Sequence, residues 1–230
     1  MRILAIDSSL SSGSVAAADG ERIVEVPMAP AKAHARRIAA ALAEASLSLG
    51  WPVAAAELMA VIHGPGSFTG LRVGVSTAKA IAWACGAALV GVSGFDTIAL
   101  AAGGTSPLHL AFDAGRGDVV AAVLRPHPAA VAGWVREDAG LMPGSAWIAS
   151  LPPGARVGGP ALLVEGRNES LASRSDLVVL PQEQWSPTAG GVAVLARLLA
   201  TAGHTVRPEG LQPEYARPSY AEENAPRTSR

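Results

Sequence analysis

The chain has 230 residues, half of them apolar, with a formal net charge of −1 and a single cysteine. This composition provides a substantial core, excludes an intrachain disulfide and disfavours direct binding of RNA or DNA, which depends largely on Lys and Arg neutralising phosphates. Because the segment MRILAIDSSLSSG is interrupted too soon for a secretory signal and no window is apolar enough to span a membrane, we expect a cytoplasmic protein.

The first hundred residues predict three strands, followed by helices alternating with strands. The predicted strands are residues 2–6, 14–18, 22–26, 58–62 and 87–92. The predicted helices are residues 32–49, 71–85 and 95–102. The Asp19-Gly20 turn makes the first strands antiparallel neighbours, and in the first helix Ile38, Leu42 and Ala45 share one apolar face. This order predicts a mixed α/β sheet whose later strands are parallel and covered by helices.

A cluster of small residues, GGTSP at 103–107, marks the best domain boundary. Beyond it we predict a strand at 108–112, a turn at 113–117 and a returning strand at 119–124, then a loop-rich region over 125–174. A short strand at 177–180 and a helix at 190–202 follow. The predicted units are an N-terminal lobe over 1–104, a smaller second lobe over 105–206, and a Pro-rich tail over 207–230 that is extended or mobile.

The glycine-rich stretch IHGPGSFTGLRVG, residues 62–74, begins as a phosphate-binding loop does but fits none of the standard patterns. A Walker loop needs a lysine to reach the outer phosphates, and here that position holds Gly70 or Leu71 in the two registers. The Rossmann fingerprint and the nucleophile elbow both fail on glycine spacing. The two glycines around Pro65 therefore predict a rigid strand-to-helix turn.

The helix that follows, with Ser67 or Thr69 as its cap, carries small residues at every fourth position. These residues are Gly70, Gly74, Ala78 and Ala82. Such a strip lets a second helix approach closely, and that helix is either a partner's or the chain's own first helix. Anion binding at the helix N-terminus is a third, weaker alternative.

A few polar residues are candidates for a residual ligand site. Asp7 follows the first strand and either positions a hydrated metal or phosphate, or holds an Asx-turn. Asp113 and Arg116 share a predicted hairpin turn, where they either pair with each other at the surface or join Asp7 and Ser9 in a nucleotide cleft. No two histidines have helical metal-ligand spacing, and no catalytic constellation or metal site is predicted.

Several motifs together resemble the bacterial TsaB family, also called YeaZ. They are ILAIDSS, His34 in the first helix, GPGSFTGLRVGVSTAKAIA, LVGVSGFDTIA, FDAGRGDV and the late PEYARP. The resemblance is spread over most of the chain and is strongest from Gly64 to Ala82, whereas residues 125–207 carry almost none of it.

The resemblance implies an actin-like ATPase fold of two ribonuclease-H-like lobes. It also implies a non-catalytic, scaffolding subunit of the complex that makes threonylcarbamoyladenosine beside the anticodon of tRNA. In that family the catalytic subunit (TsaD) carries a helical His-x-x-x-His metal pair and a nucleotide site, and an ATPase subunit (TsaE) completes the assembly. This chain departs from the catalytic pattern, because His34 is followed four residues later by Ile38.

The resemblance further implies a heterodimer with the catalytic subunit through the first two helices, with tRNA contacted only through the complex. The residues assigned to that interface are His34, Ile38, Gly66, Ser67, Phe68, Thr69, Gly70, Arg72, Gly74, Ala78 and Ala82. On this interpretation Gly74→Leu abolishes the complex while the chain alone still folds. We expect no cofactor of the chain's own. A homodimer in isolation and weak ATP or ADP binding at a subunit interface are left open, as are a glycoprotease-like peptidase and a residual nucleotide-binding module.

Overall fold

Two five-stranded mixed sheets form the framework of the protein, for which a computed structural model describes residues 1–28 and 34–217. The first sheet contains β1 (Arg2–Asp7), β2 (Gly13–Asp19), β3 (Arg22–Met28), β4 (Leu58–Gly64) and β5 (Ala88–Ser93). They lie in the order β3-β2-β1-β4-β5. β1 to β3 are antiparallel neighbours, and β4 and β5 continue the sheet parallel to β1. The five strands predicted over the first hundred residues are confirmed.

Helices α1 (His34–Ser48) and α2 (Phe68–Cys85) cover one face of this sheet. The periodic residues of α1, including Ile38 and Leu42, are fully buried in the core that they share with β1, β2 and β4. α2 begins three residues earlier than predicted because Ser67 caps it, its side chain accepting a hydrogen bond from Gly70 N. It ends at Gly86, which adopts the left-handed conformation with φ 65°.

The second sheet repeats the arrangement of the first. Its strands are β6 (Leu108–Gly115), β7 (Asp118–Pro126), β8 (Trp134–Pro143), β9 (Arg156–Gly158) and β10 (Val178–Val179). They lie in the order β10-β9-β6-β7-β8, with three antiparallel strands followed by two parallel ones. Helices α3 (Gly94–Ala102), α4 (Gly144–Ser150) and α5 (Arg167–Ala172) contribute Phe95, Trp147 and Leu171 to its core.

Regular structure also occupies much of the region predicted to be loop-rich. β8 was not predicted because it is an edge strand that carries charged residues (WVREDAGLMP), so its alternation is weak. Its pairing with β7 also shifts register near Gly140, which has φ 82°. α4 and α5 have seven and six residues, too few to show a helical period.

The predicted boundary between the second lobe and the tail does not follow the packing. Helix α6 (Ala189–Thr201) lies on the face of the first sheet opposite α1 and α2, with Val192 and Leu195 buried against β1, β2 and β4. The sheet needs a cover on both faces because successive residues of a strand point to opposite sides. The first lobe is therefore built from both ends of the chain, and the second lobe is inserted between α3 and α6.

The segment that follows α6, residues 206–217, forms a C-terminal strap across the molecule. Val206 pairs with Leu89 of β5, Leu211 is buried in the first core, and Glu214 N donates to His63 O at 2.7 Å. Arg217 then donates to Ala114 O and forms an ion pair with Asp118 in the second lobe. Of the two alternatives predicted for the tail, extended or mobile, residues 207–217 follow the extended one and are held by these contacts, while residues 218–230 lie outside the described residues.

Removing the apolar anchor of the strap tests how much it contributes to stability. We expect Leu211→Ala to lower the free energy of unfolding by about 3 kcal/mol, because the side chain is buried among core residues and its removal leaves a cavity. Urea unfolding followed by circular dichroism measures the change. Gln212→Ala, one residue later and exposed, serves as the control and should change the free energy by less than about 0.5 kcal/mol. Equal stability of Leu211→Ala and wild type would contradict the strap's role.

Candidate functional site

A cleft between the two lobes encloses a cavity of about 540 Å³. Its walls come from the β1–β2 turn, the N-terminus of α2, the β6–β7 turn, a segment near Pro160, and the strap. Ser9 and Asp113, two residues predicted to lie in a nucleotide cleft, both line it. Arg116 is exposed in the β6–β7 turn with φ 58° and is absent from the lining. The ion pair that the structure shows at Asp113 is with Arg167, at 2.9 Å.

Asp7 lies beneath this cleft and is fully buried. Its Oδ1 accepts hydrogen bonds from Ser9 N at 2.9 Å and Ser9 Oγ at 2.6 Å, which is the geometry of the Asx-turn alternative. Its Oδ2 is buried and has no hydrogen-bond partner among the described residues. Burial raises the pKa of Asp7 from 3.8 to about 6, against the opposing effect of the two Ser9 hydrogen bonds. The carboxylate is therefore costly to ionise where it stands.

This cost makes the stability of the chain depend on pH. The pKa of Asp7 is higher in the folded than in the unfolded chain, so the folded chain binds more protons between pH 4 and pH 6. The free energy of unfolding should therefore fall as pH rises through that window. The shift from 3.8 to about 6 corresponds to roughly 3 kcal/mol.

Asp7→Asn removes the charge and keeps an acceptor for Ser9. We expect it to raise the free energy of unfolding at pH 7.5 by about 2 kcal/mol, less than the full shift because the new amide lacks an acceptor. The gain should disappear near pH 4, as measured by urea unfolding at both pH values. Asp19→Asn, at the partly exposed end of β2, is the control and should change the free energy of unfolding by less than about 0.5 kcal/mol. A gain of the same size at both pH values would contradict the assignment to Asp7.

The small-residue strip of α2 faces the interior of the chain. Ser8 Oγ donates to Gly70 O at 2.8 Å, and a Cβ added to Gly74 would overlap Ser8 Oγ. Ala78 and Ala82 are buried in the first core. The interpretation of the strip as an open docking surface is therefore wrong. The glycines serve the close approach of α2 to the end of β1 and not contact with another helix.

The other residues predicted at a partner interface separate into buried and exposed ones. Ile38 is fully buried, and the side chain of His34 lies outside the described part of the structure. Ser67, Thr69 and Arg72 are exposed, whereas Gly66 and Phe68 are partly buried and line the cleft.

The first turn of α2 is tied to the strap through an aromatic contact. The Arg72 guanidinium lies 3.9 Å from the centre of the Phe68 ring, and Arg72 Nε donates to Tyr215 Oη at 2.8 Å. The Phe68 and Tyr215 rings are 4.6 Å apart. Tyr215 belongs to the PEYARP motif but was not predicted as a site residue. The sequence around it does not indicate that it contacts Phe68 and Arg72, which are more than 140 residues earlier in the chain.

Exposed apolar side chains occur instead on the outer sides of α1 and α2, which we call the α1–α2 face. It comprises Ala40, Ala43 and Leu47 of α1 and Ser76, Ala80 and Trp83 of α2, of which Ala43 is half-buried and Ser76 is polar. Trp83 is 80% exposed and Leu47 63% exposed, the two largest values among the exposed large hydrophobic residues of the described chain. Tryptophan is enriched at protein–protein interfaces and among the residues that dominate binding energy, so Trp83 displayed in water is a candidate interface residue. The sequence feature that could have indicated this face is Trp83, a large residue in a helix otherwise rich in small ones.

Comparison with known proteins relates the chain to proteins of tRNA modification. Residues 24–130 match the family of TsaD, tRNA N6-adenosine threonylcarbamoyltransferase. The chain is 28% identical over 239 residues to the tRNA threonylcarbamoyladenosine biosynthesis protein TsaB of Escherichia coli K12, covering 98% of this chain and 99% of that protein. An uncharacterised protein of Mycobacterium tuberculosis is 38% identical over 109 residues, which cover 42% of this chain and 47% of that protein.

Two solved structures from Pseudomonas aeruginosa share the fold. One, described as an uncharacterised protein with similarity to peptidase YEAZ, superposes with a TM-score of 0.76 and 22% identity over 94% of this chain and 99% of its own. The other, YeaZ, has a TM-score of 0.75 and 21% identity, over 93% and 100%. The predicted α/β fold of the actin-like ATPase class, with two mixed sheets, is confirmed. Within residues 1–28 and 34–217, no helix is long and apolar enough to cross a membrane.

Proposed function

The chain belongs to the TsaB (YeaZ) family, and we propose that it acts in the biosynthesis of threonylcarbamoyladenosine in tRNA as the non-catalytic subunit that binds and supports a TsaD-like catalytic subunit. A TsaE-like ATPase completes the assembly, and tRNA is contacted through the complex. The near-neutral charge of the chain supports the proposal that tRNA is contacted through the complex, since binding tRNA directly requires an excess of Lys and Arg.

The observation that carries the proposal is the exposed α1–α2 face. Its two large apolar side chains, Leu47 and Trp83, are displayed by helices whose inner sides are fixed in the core. The match of residues 24–130 to the TsaD family spans the whole of α1, β4 and α2. A partner with related helices can therefore present a related surface, and two such surfaces can pack about a pseudo-twofold axis. The face takes over the docking role that the sequence had assigned to the buried strip.

The interlobe cleft supports a second candidate function, residual nucleotide binding. The observation in its favour is the unpartnered Asp7 Oδ2 below the cleft. The fit to Mg-ATP is poor, however, because Asp7 does not line the cavity. The one basic lining residue among those described, Arg217, is already engaged by Ala114 O and Asp118. We therefore propose that the chain requires no nucleotide of its own, which calorimetry with Mg-ATP and Mg-ADP tests by giving no saturable heat.

Co-expression with a TsaD-like subunit tests the main proposal. We expect the two chains to co-purify as one species on size exclusion. We also expect tRNA modification by the catalytic subunit with its ATPase to depend on adding this chain. Sizing the chain alone reports whether it forms a homodimer through the same face. Failure to co-purify, together with full tRNA modification in its absence, would refute the proposed role.

A further inference from the structure

A second cavity lies wholly within the second lobe, between α4 and α5. Its volume is about 520 Å³, within the range of roughly 300–1,000 Å³ found for small-molecule sites. Its wall combines the side chains of Ile148, Ala149 and Val164 with serine hydroxyls from both helices and two arginines. The cavity adjoins the cleft, since Val164 lines both, but it is remote from the α1–α2 face and the proposed function does not use it.

Arg167 stands in the wall of this cavity and is only 9% exposed. Its Nη1 donates to Asp113 Oδ1 at 2.9 Å and to Ala161 O at 3.2 Å. Its Nε and Nη2 have no acceptor in the described part of the chain. Neither atom is among the fully buried side-chain atoms that lack a partner, so both are donors that solvent in the cavity can reach. Half of this guanidinium therefore lacks partners.

The free half has a defined geometry. Nε and Nη2 lie on the same edge of the planar guanidinium and together form the fork that grips a carboxylate with two parallel hydrogen bonds. Arg174, in the same cavity wall, shows this pairing complete, since its Nε and Nη2 each lie 2.7 Å from an oxygen of Asp176. Glycine at position 144 lets the guanidinium lie close against the start of α4, because a Cβ there would stand only 3.0 Å from Nε.

We propose that this cavity binds a small organic acid, whose carboxylate pairs with Nε and Nη2 of Arg167 and whose apolar body lies over Ile148, Ala149 and Val164. The surrounding charges favour a carboxylate over a phosphate. Asp113 already neutralises Arg167, Asp176 neutralises Arg174, and Glu165 also lines the cavity. A single negative charge is compatible with that setting, whereas a dianion is repelled.

The test is a titration of the full ¹⁵N-labelled chain with sodium hexanoate, hexanamide and inorganic phosphate. Hexanoate should give saturable shifts of the backbone amides of Ser145 and Ser170, which line the cavity. Hexanamide, which has the same shape without the charge, should bind about tenfold more weakly or not at all, because it loses a charge-assisted bidentate pair. Phosphate should give no saturable shift at these amides.

Variants of the chain test the assignment to Arg167. Arg167→Lys keeps the positive charge but loses the fork, so hexanoate should bind about tenfold more weakly. Arg125→Lys, an exposed arginine of the same lobe paired with Glu137, should bind as wild type does. If Arg167→Lys does not fold, the proposal is tested by comparing the binding of hexanoate and hexanamide to the wild-type chain. Absence of saturable hexanoate shifts, equal binding of hexanamide, or preference for phosphate would each overturn the proposal.

Discussion

Gly74→Leu is expected to prevent normal folding of the isolated chain, lowering its free energy of unfolding by about 3 kcal/mol or more. A side chain at this position meets Ser8 Oγ and then the side chains of Val61 and Ile6, all in the floor of the first lobe. Ser8 is held by its hydrogen bond to Gly70 O, so it has little room to retreat. Thermal unfolding by circular dichroism and the soluble yield measure the effect, since a domain with 5–15 kcal/mol of stability tolerates few such losses.

The control for this variant is Ala80→Leu, on the exposed side of the same helix. It places the same leucine side chain in solvent and should leave the melting temperature unchanged within a few degrees. A Gly74→Leu chain that melts as wild type does but fails to bind its partner would contradict the packing described above. It would also restore the sequence-based expectation that the strip is an open docking surface.

Trp83→Ala should weaken binding to a TsaD-like subunit by about 30-fold or more, while the chain remains as stable as wild type. Truncating a central interface tryptophan commonly costs 2 kcal/mol or more. Because Trp83 is 80% exposed in the isolated chain, its removal takes little from the folded core. Calorimetric titration with the purified subunit measures the affinity, and thermal unfolding of the variant alone measures the stability.

Val178→Ala provides the matched control, since Val178 is 54% exposed at the edge of the second sheet, in the other lobe. It should bind the catalytic subunit with unchanged affinity. Unchanged affinity of the Trp83→Ala variant would place the docking surface away from the α1–α2 face. A large loss for Val178→Ala would place it on the second lobe.

The elements of the first lobe could be predicted because their signals are local. Alternation in the strands, the apolar period of α1 and the Asp19-Gly20 turn all act within a few residues, and the structure agrees with each of them. The cleft was also partly predictable, since Ser9 lies just after β1 and Asp113 near the end of β6, two strands that occupy equivalent positions in the two sheets.

The sequence-based predictions fail where the position of an element is determined by contacts with residues far away in the sequence. A small-residue strip on α2 has the same period whether it faces Ser8 or a partner, because periodicity shows which residues share a side but not what covers it. Arg167 lies in a short helix without a clear period, and its pairing with Asp113 joins residues 54 positions apart. The position of α6 on the first sheet depends in the same way on contacts with strands nearly two hundred residues earlier.

The insertion of the second lobe between α3 and α6 has a consequence for synthesis on the ribosome. A nascent chain can lay α1 and α2 on the first sheet early, but the opposite face stays bare until Ala189–Thr201 has left the exit tunnel. The strap follows α6 in the chain and so arrives later still. A chain truncated before residue 189 therefore leaves Ile3, Leu58 and Ile62 exposed to water. Such a fragment is a substrate for chaperones and proteases and does not form a stable first lobe.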